Sequence, residues 1–405
     1  MEEWKEYKLG DFMEFNPKIS LKKNTVARKI TMDQLVPHSR DIYSWAYEPY
    51  SGGAKFQNGD TIMARITPCL ENGKHAFISL LDENEIAYGS TEYIVIRGKC
   101  GISDNRFVYY LTHFPSFKDA AVKSMVGSSG RQRAQVDVLE NLILKLPALP
   151  EQRRISETLS ILDDKIKVNK QINDNLEQQA QLLYKSWFVD FEPFRNQPFI
   201  ESELGMIPNE WHVSVLNELC SFISRGLTPK YDDNSDELIL GQTCVRNNIV
   251  TIDNARKHKP KQRTEKWVQQ WDTLINSTGV GSLGRVGIVY FDMDNVAIDS
   301  HITVARPKSA LIRHYVGRNL LSRQLEIENM AVGSTGQTEL PKDRVKFLPI
   351  VLPDDNALTR FNAIIEPIAY QLYRNIEESH RIATLRDALL PRLMSGELKV
   401  NDLTV

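Results

Sequence analysis

Residues 151–191 decide the fold; they read EQRRISETLSILDDKIKVNKQINDNLEQQAQLLYKSWFVDF. The run contains neither glycine nor proline, the residues that most often interrupt helices, so it predicts one long helix. Seam positions, most of them apolar, return along it in alternating steps of four and three from Ile155 to Trp187. A repeat of seven places these side chains in one stripe, which predicts that the stripe packs against another helix.

The same steps recur 206 residues further on and predict the partner helix. The predicted helix-pairing residues are Ile155, Leu159, Leu162, Ile166, Asn169, Asn173, Leu176 and Leu183, with Phe361, Ile365, Ile368, Leu372, Asn375, Ser379, Ile382 and Leu389. Both stripes are polar near the middle, and a polar position in a helix seam fixes its register. We therefore expect the helices to pack on each other with matched polar layers. Two separate amphipathic helices, each covering its own domain, are the alternative.

Connectivity and proline add two expectations about the second helix. A compact connection between the first helix and the second domain favours an antiparallel pair. Pro367 and Pro391 predict a kink or a cap, because proline cannot donate the backbone hydrogen bond of a helix.

The offset of 206 extends beyond the helices and indicates an internal duplication. The matches at or near this offset are Met125–Gly130 with Ala331–Gly336, Leu146-Pro147 with Leu352-Pro353, Glu3-Trp4 with Glu210-Trp211, Asp60–Ile62 with Asp272–Leu274, and Arg97 with Arg306. Short apolar stretches such as Tyr93–Ile96 and Ile302–Ala305 predict strands, and segments such as Asn105–Leu111 predict short helices. Each repeat is therefore expected to be a compact α+β domain followed by a long helix.

The predicted fold class is α+β. Two similar globular domains are separated by two long helices packed as an antiparallel coiled coil, with an internal pseudo-two-fold duplication. The predicted boundaries are 1–148 for the first domain, 149–192 for the central helical region, 193–210 for a linker, 211–353 for the second domain, 354–396 for the C-terminal helical region and 397–405 for a tail.

Composition excludes several classes of protein. Charged residues make up 25% and hydrophobic residues 41% of the 405 residues, as in soluble globular proteins. No apolar run reaches the roughly 20 residues of a membrane span, and the acidic start is unlike a signal peptide. Four cysteines without a CxxC pair argue against a disulfide scaffold and suggest a reducing cytoplasm. Since 50 Lys+Arg face 52 Asp+Glu, nucleic-acid binding would have to come from local patches.

None of the possible catalytic motifs is supported by the sequence around it. Gly279–Gly284 fits GxGxxG, but it leads into the strand-like Arg285–Phe291, whereas a dinucleotide site opens a helix. A GxxxxGK[ST] loop, a [DNS]PP[YFW] methyltransferase motif and an HxxxH pair are missing. Glu397–Lys399 resembles half of a nuclease signature, but Pro353-Asp354 lies on the far side of a long helix. We predict no catalytic residue, no metal site and no cofactor in this chain.

Polar loops next to glycine remain as the candidate site. Glycine lets the backbone approach phosphate oxygens, and Arg, Lys and Gln can bond to base edges in the major groove. The candidate DNA-binding residues of the first repeat are Arg65, Thr67, Lys74, Ser128, Ser129, Arg131, Gln132 and Arg133. Those of the second repeat are Ser277, Thr278, Ser282, Arg285, Ser334, Thr335, Gln337 and Thr338, with the basic run Arg256, Lys257, Lys259, Lys261 and Arg263. Ordinary turns and a solvated charge run are the alternative interpretation.

The order of several short motifs resembles the specificity subunit of type I restriction–modification systems. The segments that carry the resemblance are Leu149–Ile155, Leu159–Ile166, Leu204–Trp211 and Gly281–Ile288. The resemblance covers nearly the whole chain and includes the duplication. The second helix departs from the family pattern, because Asp354–Leu358 stands where a Glu-Gln pair is usual.

The resemblance implies two target-recognition domains that each read one half of a bipartite, asymmetric double-stranded DNA sequence. It implies docking of two methyltransferase subunits, which bring S-adenosylmethionine and adenine-N6 methylation. Restriction/translocase subunits would add ATP and Mg²⁺. The chain itself would be a non-catalytic, cytoplasmic component of host defence with no membrane partner. A stand-alone two-domain DNA-binding regulator, which would need no partner subunits, is the alternative.

The paired helices are expected to set the distance between the two half-sites. Each stripe spans about 48 Å at roughly 1.5 Å per residue, so removing one heptad from each helix shortens it by about 10 Å and keeps the stripe in phase. Mapping of methylated sites should then give a spacer shorter by a few base pairs with both half-sites retained. Removal of three or five residues should abolish binding, because the stripe rotates off its partner. An unchanged spacer with normal activity would refute the expectation.

Overall fold

The computed structural model describes residues 4–128, 130–333 and 338–403, which fall into two compact units. Unit 1 contains the chain up to Val168 and again from Ser379 onward, and unit 2 contains Asn169–Glu378. Each unit therefore combines one mixed α+β domain with one part of each long helix.

Unit 1 is built on two four-stranded sheets. Its strands are β1 (Lys5–Lys8), β2 (Met13–Phe15), β3 (Val26–Ile30), β4 (Ala46–Pro49), β5 (Lys55–Phe56), β6 (Thr61–Ala64), β7 (His75–Phe77), β8 (Ala87–Gly89), β9 (Tyr93–Gly98) and β10 (Ile143–Leu146). Its helices are α1 (Leu9–Phe12), α2 (Asn105–Leu111), α3 (Pro115–Lys123) and α4 (Val136–Glu140), and the long α5 (Leu149–Phe188) follows. The sheet orders are β2-β9-β6-β7 and β4-β3-β8-β5, and β1 pairs with β10.

Unit 2 repeats this plan with longer insertions. Its strands are β11 (Phe199–Ser202), β12 (Gly205–Pro208), β13 (His212–Val215), β14 (Cys220–Arg225), β15 (Leu238–Leu240), β16 (Val245–Arg246), β17 (Asn248–Val250), β18 (Arg256–Lys257), β19 (Thr273–Asn276), β20 (Val286–Ile288), β21 (Val296–Ile298), β22 (Ile302–Pro307) and β23 (Pro349–Leu352). Its helices are α6 (Leu216–Leu219), α7 (Arg313–Ser322), α8 (Gln324–Asn329) and α9 (Lys342–Lys346), followed by the long α10 (Asp355–Met394). The larger sheets have the orders β14-β22-β19-β20-β17-β16 and β18-β15-β21.

Equivalent strands pair in the same way in the two units. Antiparallel β1–β10 and β13–β23 each join the start of a domain to the strand that precedes its long helix. The parallel pair β3–β8 recurs as β15–β21. The duplication detected in the sequence is therefore also a duplication of sheet topology.

An arginine–aspartate pair with a buried aspartate ties together the sheet that contains β6 and β9 in unit 1 and the sheet that contains β19 and β22 in unit 2. Arg97 in β9 donates to both carboxylate oxygens of Asp60, at 2.6 and 2.8 Å. Arg306 in β22 donates to both oxygens of Asp272, at 2.8 Å each. Both aspartates are fully buried, and two parallel N–H···O bonds to one carboxylate form a strong, directional ion pair. The aspartate and arginine matches found in the sequence are thus one interaction, present twice.

Helices α5 and α10 pack antiparallel within each unit. In unit 2, the Asn169 amide donates to Glu378 and the Asn375 amide donates to Asn173, both at 2.8 Å, so residue numbers rise along one helix as they fall along the other. In unit 1, Arg386 of α10 donates to Asp163 of α5 at 2.6 Å. The antiparallel direction expected from connectivity is the one observed.

The predicted pairing residues of both stripes are all buried or half-buried. The alternative arrangement, in which each helix covers its own domain, is realised at the same time. Ile155 and Leu159 belong to the hydrophobic core of unit 1, and Phe361 and Ile365 belong to that of unit 2. Each stripe therefore pairs with the other helix and closes a domain core.

The kink or cap expected at the two prolines does not divide the second helix. Helix α10 runs through Pro367 and Pro391 as one element. Proline costs a helix interior roughly 3 kcal/mol, and burial of the flanking Ile365 and Ala369 offsets this cost. Pro391 also removes one backbone donor, but the helix ends at Met394, within one turn of it.

The segment 193–210 predicted as a linker is folded into unit 2. It starts within a short 3₁₀ helix, Glu192–Phe194, and contains the hairpin β11–β12. Phe194 and Ile207 are buried in the same core as Trp211. These apolar side chains explain the difference, since burying them stabilises one fixed position of the segment. Part of the predicted tail 397–405 is folded too, because Leu398, Val400 and Leu403 pack on the core of unit 1.

His75 is a buried histidine in β7 of unit 1. Its Nδ1 lies 3.1 Å from the Thr112 hydroxyl, which donates to the Tyr109 carbonyl, so we assign Nδ1 as the donor. Burial, reinforced by the charges of Lys118 and His38, lowers the pKa of His75 to about 3. The folded state therefore holds this ring neutral at pH values where the unfolded chain protonates it.

Acidification should therefore destabilise unit 1. The unfolded histidine takes up a proton below its ordinary pKa of about 6.5 and the folded one does not, so His75 alone costs about 2 kcal/mol between pH 7 and pH 5. The free energy of unfolding of unit 1 is measured in the intact chain by urea titration. Oxidation of the buried Met63 by peroxide reports when unit 1 unfolds. The His75→Gln variant should lose part of the pH dependence. Equal pH dependence in both proteins would contradict the argument.

Candidate nucleic-acid interface

Two segments of unit 1 meet at the end of the sheet that contains β6. The first follows β6 from residue 65 onward, and the second is the loop 126–133 after α3. Backbone bonds join them: the Ala134 amide donates to the Arg65 carbonyl at 2.8 Å, and the Thr67 amide donates to the Gln132 carbonyl at 3.0 Å. The fold thus brings Arg65, Thr67, Gln132 and Arg133 together, as a common binding surface requires.

The corresponding segments meet in unit 2. The Leu340 amide donates to the Ser277 carbonyl at 2.8 Å, which repeats the bond between Ala134 and Arg65. Val332 and Glu339 exchange two backbone bonds of 2.8 Å and close the loop between them. Val126 and Arg133 do the same in unit 1, at 3.1 and 3.0 Å. We call the loops 126–133 and 332–339 the recognition loops.

Several candidate side chains of unit 1 are engaged with the protein itself. Arg133 forms a bidentate ion pair with Glu92, with N···O distances of 2.6 and 2.8 Å. Arg65 donates to the Ala134 carbonyl at 3.1 Å, and Lys74 donates to the Met32 carbonyl at 2.7 Å. Arg131 is exposed; its backbone amide donates to the Ser128 carbonyl at 2.9 Å, and its side chain has no partner among the residues the structure describes. Its guanidinium is therefore available to a ligand.

Hydrogen bonds from two polar side chains hold the glycine turn of unit 2, residues 279–284, in shape. Gln242 donates to the Thr278 hydroxyl at 2.8 Å, and Arg285 donates to the Gly281 carbonyl at 2.6 Å. Gly279, Gly281 and Gly284 all have positive φ, and strand β20 follows the turn. The sequence interpretation of this GxGxxG as a turn before a strand, and not a dinucleotide site, agrees with this geometry. Ser282 lies in the same turn, half-buried.

Ser277 is placed differently from the surface position expected of a DNA-binding residue. Its side chain is fully buried, and its hydroxyl lies 2.6 Å from that of Thr303. Its counterpart in unit 1 is Arg65, whose guanidinium bonds to the carbonyl of Ala134, the residue directly after the recognition loop. In unit 2 that bond is supplied by Arg225, which donates to the Leu340 carbonyl at 2.7 Å. A buried serine therefore replaces an arginine because a second arginine reaches the same place from β14.

The basic run of unit 2 lies away from the recognition loop, on another sheet. Arg256 and Lys257 form the edge strand β18 of the three-stranded sheet, and Arg256 stacks over Tyr231 with 3.3 Å between guanidinium carbon and ring centroid. Lys259, Lys261 and Arg263 follow and are exposed, and Arg263 lies 3.5 Å from Asp294. The run offers positive charge at the surface, as its composition indicated.

Four candidates, Ser129, Ser334, Thr335 and Gln337, lie outside the described residues. The other loop candidates, Ser128 and Thr338, are exposed.

Sequence reasoning missed three residues of this interface: Glu92, Arg225 and Gln242. Each contacts a recognition loop or the glycine turn from a segment distant in the chain. No local motif marks such contacts. Alignment of the repeats places Glu339 opposite Arg133, and this reversal of charge was the signal that partners must differ.

The described residues hold no group of three or more His, Cys, Asp or Glu side chains that could bind a metal. Among the same residues, none of the helices is long and apolar enough to cross a membrane.

Each unit therefore presents a polar loop cluster on one duplicated α+β scaffold closed by long helices. The family model "Type I restriction modification DNA specificity domain" matches residues 1–178. The MjaIX specificity subunit of Methanocaldococcus jannaschii is 28% identical over 74% of this chain and 70% of its own length. The HindI specificity subunit of Haemophilus influenzae is 22% identical over 98% of this chain and 100% of its own length.

A solved structure agrees in fold. The S subunit of the type I restriction–modification system from M. genitalium superimposes with a TM-score of 0.52, at 14% identity, over 97% of this chain and 96% of that one. Together, the family model and these relatives indicate a type I restriction–modification specificity subunit. These similarities support a role in DNA-target specificity.

Replacing Arg285 with Ala should weaken binding to the cognate DNA. The change removes the bond that shapes the glycine turn and a guanidinium that can reach a base, and one good base contact contributes about 1–3 kcal/mol of discrimination. Fluorescence anisotropy with a labelled duplex measures the affinity. Arg374→Ala, an exposed arginine on α10, is the matched control and should bind as the wild type does. Wild-type affinity of the Arg285 variant would mean that this side chain has no role in binding.

Proposed function

We propose that each unit reads one half of a bipartite, asymmetric double-stranded DNA target. The observation that carries the proposal is the pair of recognition loops, which have the same backbone closure and different side chains. In the alignment of the two repeats, Arg131 of unit 1 stands opposite Gln337 of unit 2. Since arginine pairs preferentially with guanine edges and glutamine with adenine edges, the two half-sites should differ in sequence.

We further propose that the long helices dock two methyltransferase subunits, one for each half of the duplication. Apolar side chains face solvent on these helices in both units. They are Ile161, Val168 and Leu385 in unit 1, and Ile172, Leu182, Ile364 and Tyr370 in unit 2, with exposures from 41% to 67%. These side chains support the proposal because apolar surface left in water is what a protein partner can bury. The helices thus have surface to offer in addition to the stripe they use for each other.

The chemistry is then divided between subunits. The methyltransferase subunits would bind S-adenosylmethionine and transfer the methyl group to adenine N6, and restriction/translocase subunits would bind ATP and Mg²⁺. The specificity subunit would hold the DNA so that each methyltransferase meets its own adenine. These subunits would act together in the cytoplasm.

Domain exchange tests the modular reading of DNA. Residues 1–145 end within β10, just before the long helix, so replacing them with the equivalent domain of another specificity subunit leaves α5 and unit 2 unchanged. Methylated-site mapping in cells should show one new half-site and one retained half-site. The reciprocal exchange of the second domain is the control and should change the other half-site. A simultaneous change of both half-sites would overturn the proposal.

Two measurements on the unaltered protein distinguish the alternative of a stand-alone regulator. The mass of the complex that co-purifies with this chain should equal that of one specificity subunit with two methyltransferase subunits. The chain freed of partners, as checked by mass spectrometry, should not methylate or cut DNA. A chain that binds its target tightly as a monomer and recruits no methyltransferase would favour the regulator.

A further inference from the structure

An ion pair holds each recognition loop at the point where its two ends meet, and the two ion pairs have opposite polarity. In unit 1, Arg133 is on the loop and its partner Glu92 lies in the turn between β8 and β9. In unit 2, Glu339 is on the loop and its partner Arg225 ends β14, with 2.6 Å between charged atoms. Arg133 and Glu339 occupy the same position of the repeat, next to the same backbone closure.

We propose that this position holds the recognition loop in its binding conformation and does not itself contact DNA. The inference rests on the proposed function, since it assigns a positioning role within the DNA-reading surface. A residue that contacted phosphate in both repeats would be positive in both, because DNA presents negative charge to each. Both units have an ion pair at this position, but the loop residue is positive in unit 1 and negative in unit 2.

Local contacts support the assignment in unit 1. Both oxygens of Glu92 accept from Arg133, so the fork of the guanidinium is occupied by protein. The hydrogen bond and charge of Arg133 lower the pKa of Glu92 below its usual value, as expected for a carboxylate committed to this pair. The Arg65 amide also donates to the Glu92 carbonyl at 2.9 Å, so the turn that carries Glu92 is joined to the segment that meets the loop.

The backbone of the loop explains why a clamp is needed. Gly127 has a φ of 141° and Gly333 a φ of 129°, in the region that favours glycine. Glycine leaves a chain many accessible conformations, so holding a glycine-containing loop in one of them costs conformational entropy. An ion pair where the two ends of the loop meet reduces the number of conformations the loop can adopt. The side chain of Arg131, nearer the tip, has no partner among the described residues and is then the one of this loop that reaches DNA.

The substitution Glu92→Gln separates the two roles by the sign of its effect. It removes a negative charge near DNA. If Arg133 contacted phosphate, the change would free the guanidinium and strengthen binding. If Arg133 is a positioning residue, the change loosens the loop and weakens specific binding by about fivefold, as expected from losing one favourable surface ion pair. Anisotropy titrations of the full chain with its methyltransferase partners, on cognate duplex, measure the change.

The charge-swapped double variant, Glu92→Arg with Arg133→Glu, provides the rescue. It gives unit 1 the polarity found in unit 2, so it should recover most of the affinity lost in Arg133→Glu alone. Arg131→Gln is the matched control: it should weaken binding and relax specificity at the position it reads, and Glu92→Arg should not rescue it. Stronger binding by Glu92→Gln, or failure of the swap to rescue, would overturn the inference.

Methylated-site mapping keeps this test separate from the proposed function. The single variants should relax only the half-site read by unit 1, while the other half-site and assembly with partners stay as in the wild type. Relaxation confined to one half-site supports both proposals. Loss of sequence preference at both half-sites would count against modular reading itself.

Discussion

A buried polar contact, Asn173 with Asn375, fixes where the two long helices meet in unit 2. Each asparagine is almost completely buried, and the 2.8 Å bond between them satisfies groups that would otherwise lose hydrogen bonds to water. A shift by one helical turn would place an amide against an apolar neighbour, so the register is specific as well as stable. The seam of unit 1 uses charge for the same purpose. Asp163 accepts from Arg386 and from the Tyr110 hydroxyl, at 2.6 Å each, and removing one partner of such a buried pair typically costs about 3–5 kcal/mol.

The domains are attached to these helices by polar contacts of the same kind. In unit 2, Arg318 of α7 bonds to Glu177 of α5 and to the Tyr290 hydroxyl, all three of them buried. In unit 1, the side chain of Gln152 bonds to the Ile102 and Pro147 carbonyls at 3.0 and 2.9 Å. The second helix starts differently, with Asp354 accepting from the Ala357 amide and from the Trp211 indole. A capping aspartate therefore joins the second helix to its domain.

The sequence predicted those features that depend on spacing along the chain. The steps of four and three located both helices, and the offset of 206 located two equivalent domains and the aspartate–arginine pairs that tie their sheets. Features that depend on non-local contacts were not predictable. Ser277 has the polarity of a surface loop residue, yet it is buried because Thr303 on β22 faces it. Segment 193–210 has the prolines of a linker, yet its phenylalanine, isoleucine and tryptophan neighbours find a core.

Duplication explains how one backbone can carry two different specificities. The contacts that shape each unit, such as the aspartate–arginine pair and the backbone closure of the recognition loop, are the same in both copies. The side chains around the loop differ, even in sign, because the partner changes with the loop residue: Arg133 faces Glu92, and Glu339 faces Arg225. Paired changes of this kind leave the net charge of the ion pair unaltered. The exposed residues of the loop are therefore free to diverge without disturbing the scaffold that presents them, and two half-sites can change independently.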